Sequence, residues 1–188
     1  EFAAASLSYP IVFVGESKSP LAVMGLRDGE NLYITEEGAR LTLERLSHFD
    51  ARAHGALRSF ADAVLARTGL DTARIVVTLH NNTEANYSTR SYLPGGEYAA
   101  DAADVYLSPS ADPDDFFFVT ERPLFDALKR RGFNVVLQDN ARVTDDGSLS
   151  VLAARRGQRY VNVEAQHGHR RQQERMIHAL LDVLARLN

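Results

Sequence analysis

The stretch Ala73-Arg74-Ile75-Val76-Val77-Thr78-Leu79 constrains this chain more than any other. It is a β-branched run, apolar on both alternating faces. Such a run reads as a strand buried on both sides, the pattern of a parallel sheet covered by helices. The run stops at His80, and Asn81, Asn82 and Thr83 follow. Polar chemistry is thereby placed at the strand's carboxyl edge, where ligands gather in layered α/β proteins.

Other segments repeat the pattern. Short apolar runs at Pro10–Val14, Phe116–Val119, Phe133–Leu137 and Arg159–Val163 read as further strands. Between them the apolar spacing becomes helical: from Asp50 to Gly69 through Leu57, Phe60, Ala61, Val64 and Leu65, and from His169 to Leu187 through Met176, Ile177, Leu180, Leu181 and Leu184. Thr120 to Pro123 opens a helix that Gly132 stops, and Thr35 caps another whose first turn is acidic. Leu21–Leu26 and Asn31–Thr35 form two candidate strands, and Asp145-Asp146-Gly147 signals a hairpin into a strand at Leu149–Leu152. This alternation predicts a layered α/β domain with a mostly parallel central sheet flanked by helices, one domain over 1–188. The segment 81–115, with four tyrosines and Pro94-Gly95-Gly96, reads as a long irregular cover.

Composition excludes several chemistries. The 188 residues contain no cysteine, which removes disulfides, thiolate metal sites and Cys nucleophiles. A formal charge of −4 argues against a nucleic-acid partner, and no apolar run has the length of a membrane span. The opening residues carry no recognisable signal peptide. There is no Gly-x-Ser-x-Gly elbow, phosphate-binding glycine loop or His-Glu-x-x-His pair.

Two strand ends carry the candidate chemistry, His80 and Glu164. A neutral imidazole suits a divalent metal, and a carboxylate beside activated water is a general base. The ordinary alternatives are a structural histidine and a glutamate that favours the following helix N-terminus. Val77-Thr78-Leu79-His80-Asn81-Asn82-Thr83 resembles the strand–His–Asn segment of zinc-dependent N-acetylmuramoyl-L-alanine amidases, whose fold is shared with zinc carboxypeptidases. Tyr160-Val161-Asn162-Val163-Glu164-Ala165 resembles that family's late strand, and Gly25 to Leu32 its glycine–acid stretch. The resemblance implies a three-layer α/β sandwich, a single hydrolase-like domain, and zinc, or another divalent metal, with His80 and Glu30 as ligands and Glu164 as the catalytic base. It implies amide hydrolysis in a muropeptide or small peptide-like substrate.

The chain departs from the family where the first metal-binding histidine belongs. The turn there is Gly15-Glu16-Ser17-Lys18. Either Glu16 replaces that ligand, or His167 or His169 rebuilds the site, or the fold is a non-catalytic ligand-binding module. Arg90, Asn81 and Gln138 are candidate substrate-binding residues, Gln138 because it also ends a buried strand. The Arg170-Arg171 pair is a second candidate for a substrate carboxylate. Asp112-Pro113-Asp114-Asp115 reads as a solvated turn.

Overall fold

The computed structural model describes residues 11–15, 36–46, 48–70 and 73–187. Leu21–Leu26, Asn31–Thr35, Glu16 and Glu30 lie outside the described residues.

Six strands form one sheet: β1 (Ile11–Gly15), β2 (Ile75–Asn82), β3 (Ala102–Tyr106), β4 (Phe116–Val119), β5 (Asn134–Gln138) and β6 (Arg159–Gln166), in the order β1-β2-β6-β4-β5-β3. β1–β2, β2–β6 and β4–β5 pair in parallel, whereas β6–β4 and β5–β3 pair antiparallel. The sheet is therefore mixed, and the expectation of a mostly parallel sheet is corrected. Burial on both faces says that both faces are covered, and a covered antiparallel pair reads the same way as a parallel one.

Among the described residues five α-helices accompany the sheet: α1 (Glu36–Leu46), α2 (Ala51–Thr68), α3 (Arg122–Arg130), α4 (Leu149–Arg155) and α5 (Arg170–Arg186). Strand alternation divides the apolar side chains into two cores. Ile75, Val77, Phe117, Val135, Val161 and Val163 pack with Leu124 and Leu128 of α3 and Met176, Leu180 and Leu184 of α5. Val76, Phe116, Phe118, Val136 and Tyr160 pack with Ala61 and Leu65 of α2 and Leu149 and Ala153 of α4.

Local signals set the helix ends. Asp50 caps α2 by accepting from the Ala53 N–H at 2.8 Å, and Gly69 closes it at φ 68°. The residues after Asp145-Asp146-Gly147 form α4, so the expected hairpin strand at Leu149–Leu152 is corrected. The Asp145 and Asp146 carboxylates accept from the Gly147 and Ser148 N–H groups at 3.1 and 3.0 Å. These side-chain bonds close the turn locally and leave the following segment's structure to packing. Leu149, Val151 and Ala153 are buried in the helix that follows. Gly38 of α1 approaches that turn so closely that a Cβ would lie 2.2 Å from the Gly147 nitrogen.

The expected cover segment 81–115 is more ordered than its composition suggests. It contains two short 3-10 helices, Thr89–Tyr92 and Ala99–Asp101, and it supplies β3 to the sheet edge.

Phe117 is fully buried and meets Phe133 edge-on, with ring centroids 5.4 Å apart. Phe117→Ala is expected to cost about 3–5 kcal/mol in urea unfolding. Phe49→Ala, at an exposed position, is expected to cost less than about 0.5 kcal/mol. Equal losses would contradict this placement of the core.

Candidate functional site

β2 and β6 pair over their whole length, and His80 stands opposite Glu164. Alternation sends Ile75, Val77, Val161, Val163 and Ala165 to one face. It sends Thr78, His80 and Asn82 of β2, and Tyr160, Asn162 and Glu164 of β6, to the other. All six of these residues are buried. Two adjacent rows of buried polar groups in a central sheet cost stability unless their hydrogen bonds are made.

The bonds run as a chain. The Thr78 and Tyr160 hydroxyl oxygens are 2.8 Å apart, and Thr78 donates to Asn162 Oδ1 at 3.1 Å. Asn162 Nδ2 donates to Glu164 Oε2 at 3.0 Å. His80 Nδ1 is 3.8 Å from the same carboxylate oxygen. That separation is within ion-pair range and beyond hydrogen-bond range. Asn162 thus fixes the Glu164 carboxylate beside the imidazole. Asn82 Nδ2 donates to the Asp114 carbonyl at 2.7 Å, and Gln173 of α5 donates to the His80 carbonyl at 2.9 Å.

An aromatic wall stands beside this network. Phe116, the register partner of Glu164, packs against Tyr87 at 5.4 Å and Tyr92 at 6.2 Å between ring centroids. Tyr98 completes the group, and the Tyr87 and Tyr92 hydroxyls are hydrogen-bonded.

The structure brings His80 and Glu164 together and sets Asn81 and Gln138 apart from them. Asn81 projects from β2 with the opposite alternation and donates to the Ala165 carbonyl at 3.1 Å. Gln138 lies at the wrong edge for the pair. β4 runs against β6, β5 runs with β4, and Phe116 is the register partner of both Glu164 and Asn134. The carboxyl end of β5 therefore reaches the amino end of β6, and the expectation that Gln138 shares the crevice is corrected. It is almost fully buried and donates to Asn140 Oδ1 at 2.9 Å. Arg90 is exposed in the first 3-10 helix. Arg170 is exposed and paired with Glu174 at 2.8 Å. Among the described residues no three His, Asp or Glu side chains converge as a metal site.

The sequence reading missed the role of Asp114 and Asp115. Both are buried, so the solvated-turn expectation is corrected. Asp114 Oδ2 accepts from the Ala85 N–H at 2.8 Å, and Asp115 Oδ1 accepts from the Gln166 N–H at 2.9 Å. The turn thus ties down the ends of β2 and β6. The available signal was its position directly before Phe116 to Val119, a run too apolar to start at the surface.

A family model described as SapC matches residues 1–44. No curated protein and no solved structure matches the chain. The SapC match covers less than half of the chain, and much of it falls outside the described residues.

Asn162→Ala removes both hydrogen bonds from the centre of the chain and is expected to cost about 1–3 kcal/mol. Asn162→Asp sets a second carboxylate beside Glu164. Its deficit relative to the unchanged chain is expected to be largest near neutral pH. It should shrink as pH falls towards the ordinary carboxylate value of about 4, because burial and the like charge raise one of the pair and it takes a proton above that value. Chemical denaturation of the three proteins across pH checks this. An Asn162→Asp deficit that does not change with pH would contradict the geometry.

Proposed function

We propose that this chain hydrolyses an amide bond of a small peptide-like substrate, a muropeptide by the resemblance, with His80 and Glu164 as the reacting pair. The observation that carries the reading is the register of two central strands. It sets a buried imidazole against a buried, hydrogen-bonded carboxylate at their carboxyl ends. A fold that needed only stability would fill these positions with apolar side chains, as it does on the opposite face.

The mechanism is written on the chain's own residues. Glu164 takes a proton from a water molecule as the water oxygen bonds to the amide carbon. The proton then passes to the amide nitrogen as the C–N bond breaks. The negative charge moves from Glu164 to the carbonyl oxygen and returns as the C–N bond breaks; His80 stands beside the carboxylate, and Asn162 holds it in place. Tyr87 and Tyr98 are half-buried and offer contact area to a substrate. The two cores, one on each face of the sheet, support the three-layer sandwich that the resemblance implies.

Zinc would supply Lewis-acid activation of water in such a site. One imidazole and one carboxylate do not by themselves fit a zinc centre, since no third ligand converges on them among the described residues. Glu16 and Glu30, the other proposed ligands, lie outside those residues. No step above therefore runs through a metal. The same observation favours a second reading, a binding module that recognises the ligand without cleaving it.

The test is a release assay on a muropeptide amide, with elemental analysis of protein purified without a histidine tag. Glu164→Gln should remain folded and lose about two to four orders of magnitude in turnover. Normal turnover in that variant would refute the role of Glu164. Saturable binding with no release by the unchanged protein would favour the binding module.

A further inference from the structure

A second histidine–carboxylate pair occupies the same edge of the sheet. His169 Nδ1 lies 2.9 Å from Asp115 Oδ2 and 3.1 Å from Asp115 Oδ1. Asp115 is 4% exposed, and its carboxylate also accepts from the Gln166 N–H. The His169 side chain, in contrast, is 35% exposed.

The ring is held from several directions. Its backbone N–H donates to the Gln166 carbonyl at 2.9 Å, and its own carbonyl accepts from the Gln172 and Gln173 N–H groups as α5 begins. Gly168, at φ 96°, makes the sharp turn that aims the chain back towards Asp115. Asp115 immediately precedes Phe116, the register partner of Glu164. The two pairs therefore share one edge, with His80–Glu164 on one face and Asp115–His169 on the α5 side.

A buried carboxylate at Nδ1 fixes the proton on that nitrogen and leaves the Nε2 lone pair available. The ring nitrogens lie on opposite sides of the imidazole, so Nε2 is directed away from the buried aspartate. Among the described residues Nε2 accepts no hydrogen bond. His167, two residues earlier, is exposed on the same turn.

We propose that Asp115 and His169 form a proton-transfer site for carbonyl substrates, separate from the His80–Glu164 pair. His169 is the catalytic residue and Asp115 its positioning residue. Nε2 takes a proton from water while the water oxygen bonds to the carbonyl carbon of an ester or amide, and Asp115 balances the imidazolium. The carbon–heteroatom bond then breaks, and the imidazolium returns its proton to the leaving group or to solvent. The inference does not rest on the proposed role of Glu164, and either can fail without the other.

The experiment uses two probes on the full chain. Diethyl pyrocarbonate acylates neutral imidazole nitrogen, and the labelled positions are mapped by mass spectrometry. His169 is expected to react about 10-fold faster than His167. p-Nitrophenyl acetate serves as the carbonyl substrate. His169→Gln keeps a donor for Asp115 and is expected to lower the hydrolysis rate by about 10²-fold, with His167→Gln unchanged. Asp115→Asn is read by the imidazole 15N spectrum, where His169 should change from a single Nδ1–H tautomer to a mixture. Equal acylation of His167 and His169, an unchanged rate in His169→Gln, or an Nε2–H tautomer in the unchanged protein would each overturn the proposal.

Discussion

The parallel pairing of β2 with β6 is the contact on which the rest of the architecture depends. It runs through the full eight residues of each strand. One alternation feeds both cores and the polar row, so its register decides three things at once. A shift of one residue would move Val161 and Val163 to the polar face and Asn162 and Glu164 into the apolar core beside α5. Burying Glu164 there, away from the polar row of Thr78 and His80 on β2, would cost several kcal/mol, of the order of the chain's whole stability. The register is therefore strongly specified, and His80 and Glu164 are opposed as a consequence.

The elements that were legible from sequence are those with strong local signals. Asp50 and Gly69 mark the ends of α2, and the β-branched and aromatic runs mark β2, β4 and β6. Strand direction was not legible, because residues buried on both faces carry no record of which way the neighbour runs. That gap moved Gln138 to the wrong edge in the sequence reading. The Asp-Gly signal before Leu149 misled for a related reason. It specifies a turn, and tertiary packing against Tyr160 and Val136 made the next segment a helix.

The candidate pair was legible as two polar residues that follow apolar runs; both strands continue two residues further, to Asn82 and Gln166, and bury the pair within the sheet. Its supports were not. Asn162 stands inside an apolar run, and only the pairing with β2 shows it bonded to both Thr78 and Glu164. Asp115 looked like part of an acidic surface turn. Its burial follows from β4 lying between β6 and β5, a topological fact that no local pattern encodes.

The central claim is that His80 and Glu164 act as one unit. Residues that act together lose little more when both are removed than when one is. Turnover on a muropeptide amide should therefore be compared among His80→Gln, Glu164→Gln and the double variant. The account predicts that the double variant retains about the turnover of the weaker single variant. Losses that multiply, or full turnover in either single variant, would contradict it.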